Sequence, residues 1–337
     1  MSNISEYFLQ RERDTLAPYA FFTAETRGRA KPITPCENRT DFQRDRDRII
    51  HSKSFRRLMH KTQVFFCPVD EHYRTRLTHT LEVTQIARVM ARALRLNEDL
   101  TEAIAMGHDL GHTPFGHAGE EALRTCFDPN FSHNEQSLRV VDVLERDGEG
   151  LNLTYEVRDG ILHHTGDGIA CTLEGLLVKY ADRFAYINHD IDDARRAGIL
   201  TLDDIPADIL KVLGREHSER INSMVTALVT QSDGIPKIVF EGEIAEATSA
   251  LRAFLFDHVY RNSAAKAEEE KAKALLVTLY EYFVAHPDEM PELYCRRIPV
   301  DGTGRCVSDY ISGMTDRYAI RTYEKLFVPE VWRGSNV

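Results

Sequence analysis

The sequence has no apolar run near the roughly eighteen residues that a helix needs to span a membrane. Its first residues, MSNISEYFLQRERDTLAP, lack the basic flank and the apolar segment of a secretory signal peptide. We therefore expect a cytoplasmic protein without a membrane partner. The 337 residues, 42% hydrophobic and 28% charged, have the composition of a globular protein with a sizeable core.

Paired cysteines and an excess of positive charge are also missing. The sequence contains six cysteines but no C-x-x-C pair, so it indicates neither a zinc ribbon nor a redox couple. We expect these thiols to be buried or unreactive in a reducing compartment. The net charge of −11 argues against non-specific binding of nucleic acid by the whole surface, because such binding depends on Lys and Arg. A local basic pocket is compatible with this charge.

Strand patterns are few and short, and neither a G-x-G-x-x-G nor a G-x-x-x-x-G-K-[ST] phosphate loop occurs. Apolar residues recur at helical spacing instead, which predicts an all-α fold. The segment 41–62 and the segment AAKAEEEKAKALL are rich in charge, and we interpret both as helices with a solvated face. The other predicted helices cover 77–96, 98–107, 134–144 and 173–197.

One stretch, GHDLGHTPFGHAGEE at 107–121, concentrates imidazoles and carboxylates. His108 and Asp109 are adjacent within it. Because neighbouring side chains on a helix diverge, both can reach one ion only from a helix end that faces a cavity. Gly111 marks such an end.

Two further metal ligands have to come from other helices. His79 lies among polar neighbours, and Asp182 interrupts the apolar run LEGLLVKYADRFAY. Burial penalises such side chains unless they are paired or bind a metal. Taken singly, His79 also fits a hydrogen-bonded core histidine, and Asp182 fits an exposed residue or a partner of Arg183. Two imidazoles and two carboxylates together suit one divalent ion of Mn, Fe, Co, Ni, Zn or Mg.

The order of His79, the pair His108-Asp109 and Asp182 on separate predicted helices resembles the HD-domain superfamily of metal-dependent phosphohydrolases. The segments RLTHTLEV, GHDLGHTPFGHAGEEAL, FSHNEQSLRVV, ADRFAY and SGMTDRYA are together similar to the deoxyguanosinetriphosphate triphosphohydrolase (dGTPase) family. Nucleotide-alarmone hydrolases have a Glu-Asp pair soon after the His-Asp dipeptide, and cyclic-dinucleotide phosphodiesterases typically have a lysine in place of His112. This sequence has neither feature.

The resemblance implies an HD-domain helical core with additional C-terminal helices. We accordingly divide the chain into an N-terminal arm (1–40), an HD-domain core with the metal site (41–200) and a C-terminal helical region packed on that core (201–337). The arm is interrupted by prolines, and we expect it to pack on the body of the protein or on a neighbouring subunit.

The resemblance also implies a reaction in which water attacks the α-phosphorus of a dNTP and releases the deoxynucleoside and triphosphate. In this reaction His117 is the catalytic histidine, and Glu120 orients it or handles its proton. His133 matches a second active-site histidine of related enzymes. The alternative for Glu120 is a glutamate that complements the helix dipole, and the alternative for His133 is a helix cap.

Residues for substrate binding follow from the same resemblance. Arg76 matches a phosphate-binding arginine, and His112 either contacts the α-phosphate or holds a metal ligand in place. Tyr186 and Asp190 match residues that accept the 3′-hydroxyl, the tyrosine ring disfavouring ribose, although core packing and a surface position are their alternatives. Gln63 matches a glutamine that contacts the substrate. Weaker phosphate candidates, each of which also fits a surface charge, are Arg48, Arg57, Lys61 and Arg183.

Two other functions are compatible with the pattern. One is a catalytically weak protein that senses nucleotides or binds single-stranded nucleic acid, and the other is a 5′-nucleotidase or phosphodiesterase of the HD superfamily. A sensor is expected to have lost a metal ligand or His117, all of which this sequence retains. The family further implies a homo-oligomer, from dimer to hexamer. It leaves open a dNTP activator at a second site and binding of single-stranded DNA.

Overall fold

The computed structural model describes residues 4–63, 74–260 and 265–329. Within these ranges the chain is helical and forms no strand, only two isolated bridges, which confirms the predicted all-α fold. The helices are α1 (Ile4–Thr15), α2 (Asp41–Ile50), α3 (Lys53–Arg57), α4 (Arg76–Ala93), α5 (Glu98–Gly107), α6 (His117–Cys126), α7 (His133–Arg139), α8 (Glu145–Gly148), α9 (Tyr155–His163), α10 (Leu173–Arg196), α11 (Ala207–Leu213), α12 (His217–Ser232), α13 (Glu243–Leu255), α14 (Ala265–Ala285), α15 (Glu292–Cys295), α16 (Ile298–Asp301), α17 (Thr303–Ser312) and α18 (Asp316–Phe327).

Wider or tighter turns join several of these helices. A π-helical turn continues α7 over Val140–Leu144, and another continues α13 over Phe256–Tyr260. The segment α8 is a kinked turn in which Arg146 and Asp147 have positive φ. Single 3₁₀ turns lie at Thr23–Glu25, Leu58–His60, Leu202–Asp204 and Pro287–Glu289.

Local capping sets the boundaries of the helices that carry the site. The predicted helix 98–107 has the bounds of α5, which begins after Asn97 because the side chain of Asn97 accepts hydrogen bonds from the first-turn N–H groups. The helix predicted over 77–96 ends earlier, at Ala93, and Arg95 beyond it has a φ of 54°. The predicted helix 173–197 corresponds to α10.

The segment 41–62 is not one helix. It divides into α2 and α3 at Ser52, whose hydroxyl accepts a hydrogen bond from the backbone N–H of Phe55 at 3.1 Å. The apolar side chains of Phe42, Ile49 and Leu58 are fully buried. The charge of this segment therefore lies on the solvated side of helices that pack into the core.

The main hydrophobic core lies between α2, α4, α5, α9 and α10. Helix α10 crosses both α4 and α5, and this crossing brings polar residues of three helices to one place. Gly160 of α9 is required for the close approach to α5, because a Cβ atom there would lie 2.5 Å from Cδ1 of Ile104. Close packing of these helices fixes the distances between the side chains at their crossing.

A second hydrophobic core joins α6 to the C-terminal helices α14, α17 and α18. Leu123 of α6 and Leu276 of α14 are buried in it. The charged segment that we interpret as a solvated helix face begins α14, and this helix also buries Ala272 and Leu276 against α6 and α17. The second core therefore connects the histidine-bearing α6 to the C-terminal part of the chain.

The N-terminal segment contacts the body of the protein. Glu12 of α1 accepts a hydrogen bond from the backbone N–H of Thr23 at 2.8 Å and lies 3.3 Å from the amide nitrogen of Asn97. The backbone N–H of Phe21 donates to Glu174 of α10 at 3.0 Å. Through these contacts the N-terminal segment packs on the helices of the main core.

Within the described ranges, no helix is both long enough and apolar enough to cross a membrane. The described cysteines carry free thiols, of which Cys306 is buried and Cys171 is exposed. Cys67 lies outside the described residues.

Candidate active site

The four predicted metal ligands meet where α4, α5 and α10 cross. His79 lies in α4, His108 and Asp109 follow the end of α5, and Asp182 lies in the middle of α10. Nε2 of His79 is 3.1 Å from Oδ1 of Asp182. Nε2 of His108 is 3.6 Å from Oδ1 of Asp109 and 4.0 Å from Oδ1 of Asp182. One ligand atom each of His79, His108 and Asp109 lie within 4.8 Å of one another.

The hydrogen bonding of His108 fits metal binding. Its Nδ1 lies 2.6 Å from the carbonyl oxygen of Ala105, which fixes the ring, while its buried Nε2 has no hydrogen-bond partner. Burial raises the pKa of Asp182, but the hydrogen bond to His79 and the proximity of His108 outweigh it and hold this pKa at about 2. An oriented imidazole without a partner beside ionised carboxylates is a donor set for a divalent cation.

Arg76 connects this cluster to the neighbouring loop. Its Nη1 donates to Oδ2 of Asp109 at 2.9 Å, and its Nη2 donates to the backbone carbonyl of Gln63 at 3.3 Å. Burial raises the pKa of Asp109, but the charge of Arg76 outweighs it and lowers this pKa well below its usual value. The side-chain oxygen of Gln63 is buried without a partner. The predicted phosphate ligand Arg76 thus lies at the cluster of candidate metal ligands, with its own Nε unpaired.

Three histidines form a wall beside the cluster. The rings of His112 and His133 are stacked with centroids 4.5 Å apart, and the rings of His112 and His117 meet edge to face at 6.1 Å. His112 is buried, whereas His117 is exposed. Desolvation by the neighbouring protein atoms and the charge of Arg76 lower the pKa of His117. The neutral ring of His117 can therefore accept a proton at neutral pH.

The carboxylate of Glu120 is paired with His133. Its Oε2 lies 3.4 Å from Nδ1 of His133, and its Oε1 accepts hydrogen bonds from Arg124 at 2.7 Å and from the backbone N–H of His133 at 3.2 Å. Burial raises the pKa of Glu120, but the hydrogen bond to His133 and the charges of His133 and Arg124 lower it to about 2. The sequence suggested His117 as the partner of Glu120. The alternative of a helix cap at His133 is wrong, because Ser132 occupies the cap position of α7.

Two buried histidines that the sequence reasoning missed complete the site. Nε2 of His164 lies 3.2 Å from Nε2 of His133, and its ring meets that of His108 at a centroid distance of 5.0 Å. On the other side, Nδ1 of His189 lies 3.3 Å from Nδ1 of His79, and its Nε2 lies 2.5 Å from Glu82. Their signal was an imidazole at a core-facing position, as in INHD of α10.

The two predicted sugar contacts follow Asp182 along α10. Tyr186 is partly buried, and burial raises the pKa of its hydroxyl although Arg252 opposes this. Asp190 is buried, so the alternative of a surface residue is wrong. Burial and the charge of Asp193 raise the pKa of Asp190 well above its usual value, and its Oδ1 has no partner. A carboxyl group in this state can donate or accept a hydrogen bond.

A cavity of about 430 Å³ is lined by residues of α3, α17 and α18. Of the residues predicted to bind phosphate, only Arg57 and Lys61 line it. Lys61 is buried, and burial together with the charge of Arg57 lowers its pKa to about 7. Lys61 is therefore not the surface charge that was its alternative.

Comparisons with known proteins give the family. The HD domain matches residues 76–187, and the phosphohydrolase-associated domain matches residues 238–325. A deoxyguanosinetriphosphate triphosphohydrolase-like protein of Caldanaerobacter subterraneus subsp. tengcongensis is 56% identical, over 99% of this chain and 98% of that protein. A protein of the same description from Desulfatibacillum aliphaticivorans is 49% identical, over 97% of this chain and 98% of that protein.

A solved structure shares the fold. The crystal structure of a phosphohydrolase from Bacteroides thetaiotaomicron superposes with a TM-score of 0.53 at 19% identity, covering 84% of this chain and 68% of that chain. At 19% sequence identity this structure shows the fold alone. The relatives from Caldanaerobacter and Desulfatibacillum, by contrast, match almost the whole chain. The chain belongs to the deoxyguanosinetriphosphate triphosphohydrolase-like family of HD-domain phosphohydrolases.

Proposed function

We propose that the protein is a metal-dependent dNTP triphosphohydrolase, which hydrolyses dGTP or a broader set of dNTPs to the deoxynucleoside and triphosphate. The observation that carries this proposal is that a donor set for a divalent ion and a wall of histidines adjoin at Arg76. The site residues are His79, His108, Asp109 and Asp182 for the metal, His117, Glu120 and His133 for catalysis, and Arg76, His112, Tyr186, Asp190 and Gln63 for substrate binding.

The reaction forms a bond from a water oxygen to the α-phosphorus and breaks the bond from that phosphorus to the 5′ oxygen. A divalent ion bound here would draw charge from the α-phosphate. His117 accepts the proton of the attacking water, because its lowered pKa keeps the ring neutral. His133 supplies the proton to the departing 5′ oxygen, and Oε2 of Glu120, 3.4 Å from Nδ1 of His133, orients the ring.

In this proposal, residues of α10 distinguish deoxyribose from ribose. Tyr186 and Asp190 lie on the same side of the helix as the metal ligand Asp182, because they follow it by one and two helical turns. The Tyr186 ring would exclude a 2′-hydroxyl by contact with the 2′ carbon. The unpaired oxygen of Asp190 would bind the 3′-hydroxyl.

We also propose the organisation predicted from the sequence, with an N-terminal arm (1–40), an HD-domain core (41–200) and a C-terminal helical region (201–337). The family match of residues 76–187 within the core supports it. We infer that the enzyme acts in the cytoplasm as a homo-oligomer, between dimer and hexamer. A dNTP activator and single-stranded DNA are the further ligands to be tested.

The decisive experiment is to incubate the protein with each divalent metal and with every dNTP and rNTP, singly and in pairs, and to separate the products by ion exchange. Release of triphosphate from dNTPs and not from rNTPs is the expected result. Absence of triphosphate under every condition would overturn the proposal. Orthophosphate or cleavage of a phosphodiester would instead indicate a nucleotidase or a phosphodiesterase, and binding without turnover would indicate a sensor.

A further inference from the structure

Residues 312–316, with the sequence SGMTD, form the turn between α17 and α18. This turn contacts two segments of the candidate active site, 61–63 and 112–117. We propose that one residue of this turn, Asp316, positions the histidine loop 112–117. The inference rests on the proposed function, which assigns no role to this motif. Three sets of contacts and the strained backbone of the loop carry it.

Asp316 holds both segments with one carboxylate. Its Oδ1 accepts a hydrogen bond from the backbone N–H of Phe115 at 2.9 Å. Its Oδ2 accepts one from the backbone N–H of Thr62 at 2.8 Å and another from the hydroxyl of Thr62. The Asp316 side chain is buried, so water does not compete for these hydrogen bonds.

The loop that Asp316 holds is strained. Phe115 has a φ of 62° and Gly116 a φ of 59°, so two consecutive residues lie in the left-handed region. For a bulky residue such as Phe115 this backbone persists only where neighbouring contacts impose it. The next residue, His117, begins α6. The hydrogen bond from Phe115 to Asp316 therefore fixes the backbone immediately before the catalytic histidine.

A second contact supports the same loop. Nζ of Lys61 donates to the carbonyl oxygen of Ser312 at 2.7 Å and to the carbonyl oxygen of His112. One buried ammonium group thus joins the turn to the residue at the start of the histidine loop.

The segment 61–63 in turn holds Arg76. The backbone N–H of Arg76 donates to the carbonyl of Lys61 at 3.0 Å, and its guanidinium donates to the carbonyl of Gln63. A shift of Thr62 between them would move the cation that pairs with Asp109. The turn at 312–316 is therefore connected to both sides of the proposed reaction centre.

An ordinary structural role for Asp316 can be separated from this one. Asp316 is also the first residue of α18, where a carboxylate complements the helix dipole. The cap of α18 is a different residue, Thr315, whose hydroxyl accepts a hydrogen bond from the N–H of Tyr318 at 3.3 Å. Thr315→Ala weakens the start of α18 without touching the loop, so it is the matched control for Asp316→Asn.

The full-length protein is assayed with Mn²⁺ and the dNTP that gives most triphosphate. In Asp316→Asn the amide can accept from only one of the two backbone N–H groups, so the loop loses its fixed position. We expect kcat to fall roughly 10- to 100-fold with little change in KM, as misplacement by about an ångström does. Thr315→Ala should keep the wild-type kcat. Equal kcat values for the two variants, both shown to be folded by circular dichroism, would overturn the proposal.

A readout that needs no turnover separates this inference from the proposed function. The ring signals of His112 and His117, assigned by single His→Gln variants, are compared by NMR. Asp316→Asn should shift both signals and Thr315→Ala neither. If the wild type releases no triphosphate, the proposed function fails, and these signals still decide the positioning role.

If Asp316→Asn does not fold, Thr62→Val replaces it. This variant removes the hydroxyl donor and keeps the backbone N–H, so it weakens the same contact with little change in shape. A shift of the His117 signal supports the proposal. Unchanged ring signals and unchanged kcat in Thr62→Val would refute it.

Discussion

Glu120 and His133 face each other across α6 and α7, with the glutamate Oε2 3.4 Å from the imidazole Nδ1. The other nitrogen of His133 lies 3.2 Å from Nε2 of His164, whose Nδ1 lies 2.7 Å from the carbonyl of Ile161. Since a carbonyl only accepts, His164 carries its proton on Nδ1 and accepts from His133 at Nε2. Both ring nitrogens of His133 thus act as donors, Nδ1 to Glu120 and Nε2 to His164.

His164→Gln should impair turnover through His133. We expect kcat for triphosphate release to fall roughly 10- to 100-fold, part of the ~10²–10⁴-fold that acid–base catalysis contributes. His163→Gln is the control, because the adjacent His163 is more exposed and pairs with Asp159 at 3.2 Å instead. Its kcat should stay within about twofold of the wild type, as expected for a substitution away from the core. The assignment fails if the two variants have the same kcat.

Patterns within single helices were readable from the sequence, and contacts between distant segments were not. The helix 98–107 was predictable from the sequence, and the structure adds a local reason for its start, the cap at Asn97. The His-Asp pair at a helix end pointed to a cavity, where the structure brings in His79 and Asp182. The pairing of Glu120 with His133 depends on how α6 and α7 pack, which the spacing of residues along α6 does not contain.

The contacts of Asp316 and of His164 also join distant segments, and the sequence did not predict them. Asp316 contacts Phe115 across 201 residues of chain, and no periodic pattern connects the two. The motif SGMTDRYA could be recognised by resemblance, but its contact with the histidine loop depends on the second hydrophobic core. The place of His164 in the site could not be predicted either, because a single imidazole near the end of a helix is common in both core and surface positions.

Arg76→Ala should destabilise the metal-free protein far more than the metal-bound protein. The ion pair of Arg76 with Asp109 is buried on both sides, and removal of one partner from such a pair costs about 3–5 kcal/mol. A divalent ion beside Asp109 would compensate much of the uncovered charge. The free energy of unfolding is measured with urea, in EDTA and in excess Mn²⁺.

The matched control for Arg76 lies on the same helix. Arg88 forms a partly exposed pair with Glu102, and Arg88→Ala should cost no more than about 1 kcal/mol in either condition. A loss of stability in Arg76→Ala that is the same in EDTA and in Mn²⁺ would contradict the placement of the metal next to Asp109.

Asp182→Asn should weaken metal binding. The substitution removes a carboxylate that lies 3.1 Å from His79 and 4.0 Å from His108, so the loss should exceed the roughly 10- to 100-fold that loss of an outer-shell partner causes. Titration calorimetry with Mn²⁺ measures the affinity, and the rise of Tm with Mn²⁺ gives a second reading. Asp192→Asn on the same helix, where Asp192 pairs with His217, should bind Mn²⁺ like the wild type. Equal affinities of the two variants would remove Asp182 from the ligand set.

Glu174 makes stability depend on pH outside the active site. It is fully buried at the start of α10, and burial raises its pKa from 4.5 to about 7 although the backbone N–H groups of Asn97 and Phe21 oppose the rise. Both of these donors bind Oε1, and Oε2 has no partner. Glu174→Gln can keep the two hydrogen bonds on its carbonyl oxygen and cannot ionise.

The direction in which stability changes with pH depends on how Glu174 is protonated in the folded and the unfolded chain. Below pH 4.5 Glu174 is protonated in both the folded and the unfolded chain, and above pH 7 it is ionised in both. In between, the folded state binds the proton more tightly, so the wild type loses stability as pH rises. The free energy of unfolding of Glu174→Gln relative to the wild type should therefore increase from pH 4.5 to 7, by roughly 3 kcal/mol at about 1.4 kcal/mol per pKa unit, and then level off. Urea unfolding of both proteins across this range measures the difference, and a difference that does not change with pH would mean that Glu174 ionises normally in the folded protein.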